Sequence, residues 1–239
     1  MSLSSSLFLT GPPRIGKSTL VSKVISYFRT NHPEISLRGF YTEQVTTTSS
    51  SSSKYEKRIG FDIITLDGNR GILARKSEYI NNNNMPRVGD YFVNVEEFEK
   101  LAIPSILLHH HQNNEFNDSN KNEFKKKTLV ITDEIGKMES FSKDFEDIVR
   151  NMIFNQKINN HNNNKICIFG TVALKFKGGL AEEIRNASSN KPFSSSTIFV
   201  GAGGSGGDNN NIKVSEITLQ NRDKIFQIII NELKIMLEI

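Results

Sequence analysis

The chain has 239 residues, 36% of them hydrophobic, with 30 basic against 26 acidic side chains and one cysteine. That length holds one domain or two small ones, and the low-complexity stretches favour one core. A net charge of +4 is weak ground for a nucleic-acid partner, no segment is apolar enough to span a bilayer, and no basic leader followed by an apolar run opens the chain. The expectation is a soluble cytoplasmic monomer with no membrane association.

In chain order, residues 5–10 read as a first strand. A helix follows over 17–29, because Leu20, Val21, Val24, Ile25 and Phe28 recur at helical spacing and His32-Pro33 closes it. Residues 37–42 form a second strand and 58–66 a longer one, with Ile59, Phe61 and Ile63 alternating against Gly60, Asp62 and Ile64. The Asp67-Gly68-Asn69 turn leads to a strand over 71–75, so this pair reads as a hairpin. Next come a short strand over 91–94, a helix over 95–101 and a buried strand over 128–132. A helix over 141–154, a strand over 165–171, a short helix over 180–186 and a strand over 197–200 follow. The last helix, 221–237, carries the stripe Ile225, Ile228, Ile229, Leu233 and Met236. This alternation predicts an α/β fold whose sheet is mostly parallel with an antiparallel hairpin portion.

Five stretches near 46–53, 81–84, 109–122, 155–164 and 201–211 are runs rich in Ser, Asn, His or Gly. Such runs bury too little apolar surface to offset their ordering entropy, so they read as loop insertions in a single domain spanning 1–239. The His109-His110-His111 triplet belongs to this set rather than to a metal site. Lys125-Lys126-Lys127 has no interleaved aromatic and precedes an apolar strand, which favours a solvated strand entry over a nucleic-acid contact. Cys167 lies in the apolar run Ile166-Cys167-Ile168-Phe169, so a buried, inert thiol in a reducing compartment is expected.

Residues 11–18 read Gly-Pro-Pro-Arg-Ile-Gly-Lys-Ser, a complete G-x-x-x-x-G-K-[ST] phosphate loop between the first strand and the first helix. Successive backbone N–H groups curl around the β-phosphate, and Gly11, Pro12, Pro13, Arg14, Ile15, Gly16, Lys17 and Ser18 are the expected nucleotide-binding residues of the loop. The helix that follows offers its positive end to the same anion. Lys17 reaches the β- and γ-phosphates, and the Ser18 hydroxyl can ligate Mg²⁺. The motif predicts a three-layer P-loop fold and a nucleotide ligand.

Binding phosphate is not hydrolysis, which also needs a metal-organising carboxylate and a group that activates the nucleophile. Asp133-Glu134 follows Leu129-Val130-Ile131-Thr132, at the strand end where α/β sheets bind ligands. Alone, such a pair leaves solvated acids and a functional site equally open. With the loop upstream, Asp133 is expected to hold Mg²⁺ beside Ser18, and Glu134 to orient or deprotonate water. Lys137 is either a phosphate contact or a solvent-facing lysine. Lys175 and Lys177, around Phe176, suit a mobile basic loop better than a phosphate clamp. Arg185 and Arg222 could stabilise charge, but pairing with Glu182, Glu183 or Asp223 is favoured.

Taken together, the loop and five further segments occur in order: Gly39-Phe40-Tyr41-Thr42-Glu43, Arg58-Ile59-Gly60-Phe61-Asp62, Arg87-Val88-Gly89, Asp133-Glu134-Ile135-Gly136-Lys137-Met138-Glu139 and Glu182-Glu183-Ile184-Arg185-Asn186. This series resembles the THEP-type nucleoside-triphosphatases over almost the whole chain, interrupted mainly by the low-complexity insertions. The resemblance implies a single α/β domain, slow Mg²⁺-dependent hydrolysis of several nucleoside triphosphates, and two nucleotide-contacting segments. One is the phosphate loop. The other comprises Val130, Ile131, Thr132, Asp133, Glu134, Ile135, Gly136 and Lys137. Where the family usually has glycine at the fourth loop position, this chain has Arg14, whose side chain either projects into solvent or folds over the phosphates.

The favoured reading is therefore hydrolysis of ATP, GTP, CTP and UTP with low base specificity, Lys17 and Glu134 being catalytic. A kinase using the same phosphate machinery is the first alternative, although no acceptor pocket is readable. A nucleic-acid-associated ATPase is the second.

Overall fold

The computed structural model describes residues 5–47, 57–80, 84–107, 127–155, 165–188 and 211–239. Their strands are β1 (Ser5–Thr10), β2 (Ser36–Thr47), β3 (Lys57–Thr65), β4 (Arg70–Lys76), β5 (Arg87–Val88), β6 (Tyr91–Val93), β7 (Lys127–Ile135), β8 (Lys165–Val172) and β9 (Asn211–Glu216). The helices are α1 (Lys17–Asn31), α2 (Val95–Ile106), α3 (Lys143–Phe154), α4 (Gly179–Ala187) and α5 (Ile225–Leu237). One sheet contains all nine of these strands, in the order β5-β6-β4-β3-β2-β7-β8-β1-β9. From β2 to β9 neighbours are parallel, whereas β3, β4, β6 and β5 extend the sheet antiparallel beyond β2.

The central strands are apolar on both faces, as strands covered on both sides must be. Phe8, Val130, Ile166 and Ile168 enter one core with residues of α2, α3 and α4. Their neighbours Leu7, Leu9, Leu129, Ile131, Cys167 and Phe169 enter the other with α1 and α5. This period-two division makes the expected three layers. Strand β8 separates β7 from β1, and its approach to β7 needs a residue without a side chain. A Cβ on Gly170 would lie 2.2 Å from the Thr132 carbonyl oxygen.

The helix α1 stripe is buried as its spacing predicts. Helix α2 continues past the expected end near Leu101 and through Pro104 to Ile106. Conversely, Asn221 belongs to a turn before α5: it accepts from Thr218 N and donates to the Glu216 carbonyl. β5 and β9 have no counterpart among the elements expected from sequence, and the strand expected over 197–200 lies outside the described residues. So do His109-His110-His111 and most of each low-complexity stretch. Cys167 is fully buried and its thiol is pushed up to about 12 by burial, which bears out an inert thiol. Among the described residues, no helix is long and apolar enough to cross a membrane.

Candidate active site

The phosphate loop joins β1 to α1. Gly11 and Gly16 take φ of 147° and 109°, and Arg14 between them takes φ of 64°. Ile15 is buried and anchors the loop, while Pro12, Pro13 and Arg14 are exposed. Lys17 Nζ donates to the carbonyls of Gly11 (3.0 Å) and Pro12 (3.2 Å), which folds its ammonium over the loop. Among the described residues no side chain caps α1, and its first turn holds no acid. Its leading N–H groups thus stay available to an anion, unlike the starts of α2 and α3, which Asn94 and Ser142 cap.

Arg14 adopts a left-handed conformation, at a cost of about 1–2 kcal/mol for a residue with a Cβ. Its side chain makes no hydrogen bond or ion pair among the described residues, so solvent projection is the arrangement found.

Strict alternation along β7 would send Asp133 and Glu134 to opposite faces. The β7–β8 register instead breaks between Thr132 and Ile135, and Glu134 has φ of 65°. Such an irregularity re-aims a side chain, and the strain persists only if neighbours hold it. Thr171, on the adjacent strand β8, does so. Its hydroxyl accepts from Glu134 N at 2.9 Å and donates to Asp133 Oδ1 at 3.1 Å.

Asp133 is fully buried. Its Oδ2 lies 3.4 Å from both the N–H and the hydroxyl of Thr42 on β2. Burial raises its carboxyl above the ordinary value, while hydrogen bonding from Thr42, Ser18 and Thr171 pulls it down. Ser18 and Asp133 therefore converge as expected. Glu134 is exposed and lines a cavity, with Asp133, Lys17 and Arg58 near enough to act on its charge. Burial, then the charge of Asp133, raises its carboxyl; Lys17 and Arg58 oppose that rise. The phosphate lysine and the expected base thus share one electrostatic environment.

The rest of the predicted second segment supports the site from behind. Val130, Ile131 and Ile135 have their side chains in the two cores, and Thr132 is buried with no partner for its hydroxyl among the described residues. Alternation along the strand turns these four side chains into the interior. Gly136 is buried and gives its N–H to Glu139 Oε2 at 3.0 Å. Lys137 is exposed at the rim of a cavity of about 220 Å³ beside Glu134.

Four participants are absent from the site expected on sequence grounds: Thr42, Thr171, Arg58 and Glu139. Arg58 is held by Tyr91 Oη (2.9 Å from Nε) and lies over the Phe61 ring at 5.1 Å. Glu139 is buried, and burial followed by the charge of Glu134 raises its carboxyl well above the ordinary value. Both lie in the family-like segments, but only the fold brings them to Glu134. Arg185 corrects an expectation. It donates to the carbonyls of Ala173 and Phe176, pinning the loop that carries Lys175 and Lys177, both exposed. Glu183 pairs with Arg150 at 2.8 Å instead, whereas Arg222 does pair with Asp223, at 3.5 Å.

A parallel α/β core with this loop after its first strand and an acidic pair on β7 defines a P-loop nucleotide-binding protein. The NTPase family model matches residues 6–193. The cancer-related nucleoside-triphosphatase homolog of Mus musculus is 35% identical over 195 residues, 80% of this chain and 88% of that protein. The nucleoside-triphosphatase THEP1 of Thermotoga maritima is 35% identical over 154 residues, 63% of this chain and 69% of that one. The crystal structure of THEP1 from Aquifex aeolicus superposes with a TM-score of 0.60 at 29% identity, covering 96% of this chain and 99% of that chain. The chain belongs to the THEP1-type nucleoside-triphosphatase family.

Proposed function

We propose that this protein hydrolyses nucleoside triphosphates to diphosphate and inorganic phosphate, with Mg²⁺, slowly and with little preference among ATP, GTP, CTP and UTP. The observation that carries the reading is the convergence on one cleft of Lys17, the Ser18–Asp133 oxygen pair and the separate carboxylate of Glu134. Base tolerance and slow turnover rest on the family likeness. The buried, high-pKa thiol of Cys167 suits a reducing compartment, so the cytoplasm is proposed as its location.

The donors fit magnesium. It prefers hard oxygen ligands, keeps several waters and uses few protein carboxylates, and Ser18 and Asp133 are oxygen donors near enough for one to lower the pKa of the other. Bound there, the ion would neutralise phosphate charge. The loop N–H groups and Lys17 hold and orient the phosphates. Glu134 takes the proton of a water aligned with the γ-phosphorus, and Thr171 fixes the backbone from which Glu134 projects. Lys17 and Arg58 favour the ionised, proton-accepting form of Glu134. Positioning and charge stabilisation then supply most of the acceleration.

The test is a panel of ATP, GTP, CTP, UTP and the deoxynucleotides, with and without Mg²⁺, read for diphosphate and released phosphate. Mg²⁺-dependent phosphate release from several bases is expected. Absence of release from every triphosphate sinks the proposal.

A further inference from the structure

Beside Glu134, the antiparallel part of the sheet contributes to the cavity of about 220 Å³. Phe61, Leu73 and Val88 line it from β3, β4 and β5, Phe176 lines it from the loop pinned by Arg185, and Thr42 and Lys137 add polar lining. Glu134 and Glu139 supply its acids. Most of the residues lining it are apolar, which suits the carbon skeleton of an acceptor better than a lone water. Glu139 adds an independent sign. It is 3% exposed and makes no ion pair among the described residues, and the hydrogen bonds its carboxyl receives there come from the backbone N–H groups of Gly136 and of Glu139 itself. Backbone donors meet only part of the accepting capacity of this buried carboxyl, and a ligand's donor would meet more of it.

We propose that this cavity is an acceptor site and that the protein also transfers the γ-phosphoryl group to a small alcohol. The acceptor has a compact ring that packs on Phe61 and Phe176, and an amine or other donor that meets Glu139. The cavity, about 220 Å³, is smaller than the roughly 300–1,000 Å³ of sites for larger ligands, which favours a compact acceptor over a nucleotide. In the step, Glu134 takes the hydroxyl proton and the acceptor oxygen bonds to the γ-phosphorus. The bond from that phosphorus to the β,γ-bridging oxygen breaks, and its electron pair leaves with the nucleoside diphosphate. Lys17 and the loop serve transfer and hydrolysis alike, so the inference rests on the proposed phosphate site.

The experiment incubates the full chain with ATP and Mg²⁺, alone and with benzyl alcohol, 4-aminobenzyl alcohol, tyramine or 4-(hydroxymethyl)piperidine. Diphosphate and inorganic phosphate are quantified separately, and phosphate esters are sought by mass spectrometry. With at least one amine-bearing probe, diphosphate should exceed phosphate twofold or more, the difference appearing as the ester. Val88→Phe, which fills the cavity from a short edge strand, should lower the ester-to-phosphate ratio at least tenfold, as should Glu139→Gln for the amine-bearing probes. Equal diphosphate and phosphate with every probe overturns the acceptor site and leaves hydrolysis standing. Ester formation without phosphate release in the probe-free control overturns hydrolysis and keeps the acceptor site. No diphosphate in any tube overturns both. An ester whose ratio neither variant changes places the acceptor elsewhere and overturns this assignment.

Discussion

The two halves of the sheet do different work. The parallel half, from β2 to β9, carries the phosphate loop and Asp133 at the ends of strands buried on both faces. The antiparallel half, β3 to β6, adds Ile63, Leu73, Ala74 and Val93 to one core and carries polar links besides. Asp62, buried on β3, receives Arg70 at 2.7 Å and Arg75 at 2.5 Å, while Arg58 is stacked on Phe61 and bonded to Tyr91. Glu134 stands at the seam, near Lys17 and lining the chamber. One frame supplies generic phosphate chemistry; the appended strands shape what the γ-phosphate meets.

The largest expected effects break the parallel half. Lys17→Ala should cost about 10²–10³-fold or more in turnover, since it removes a preorganised charge at the phosphates. Glu134→Gln should slow phosphate release by about 10²–10⁴-fold, the range of a general base. It should leave nucleotide affinity, read by titration calorimetry, near the native value. Undiminished turnover would remove Glu134 from the mechanism.

Thr171→Val sharpens the comparison at the seam. The swap preserves shape but deprives Asp133 of a donor and Glu134 N–H of its acceptor. Lost partners for buried polar groups cost about 1–3 kcal/mol of stability, visible in urea unfolding. Because Thr171 positions both acids, turnover should fall up to about 10²-fold with a smaller change in nucleotide affinity. A stability loss with unchanged turnover would make its role purely structural.

Glu139→Gln probes the chamber side through pH. The folded carboxyl sits well above the ordinary 4.5, from burial and then from Glu134. Between those values the folded chain holds a proton that the unfolded chain has lost, so stability falls as pH rises through that window. The amide keeps an acceptor for Gly136 N–H and does not titrate. The variant should therefore lose less stability than the native chain between about pH 5 and 8, by about 1.4 kcal/mol for each pH unit that separates the folded from the unfolded carboxyl. Some slope should remain, because Asp133 and Glu134 are raised too. Parallel stability–pH curves would contradict a raised Glu139.

The parallel half was legible because its signals are local: an eight-residue motif, apolar runs and a helical stripe each name their element. Asp133 and Ser18 could be paired from the motif logic alone. What the sequence hid depends on distance along the chain. Thr171 is 38 residues from Asp133 and looks like any strand threonine. Only the insertion of β8 between β1 and β7 makes it a bridge. β5 has two residues and β9 emerges from an Asn-rich stretch, so neither shows a periodic pattern. The break at Glu134 is invisible to alternation, and alternation mispredicts where its side chain goes. The chamber needs β3, β4 and β5 together with the loop around Phe176, a juxtaposition no segment announces.

Arg14→Gly carries the smallest expected effect and isolates one feature of the phosphate loop. The native arginine sits at φ 64°, at a cost of about 1–2 kcal/mol that glycine avoids. Glycine loses more backbone freedom on folding, which returns about 0.5–1 kcal/mol. The balance is a stabilisation of about 0–1.5 kcal/mol, or up to about 6 °C in Tm at this chain length. Arg14→Ala separates the causes, because it removes the guanidinium and keeps the β-carbon. It should leave Tm near native. Equal gains from Ala and Gly would assign the effect to charge among the loop's neighbours rather than to the backbone. Since the arginine projects into solvent, nucleotide affinity should change less than about threefold in both variants. A larger loss shared by Ala and Gly would mean that the guanidinium folds over the phosphates once nucleotide binds.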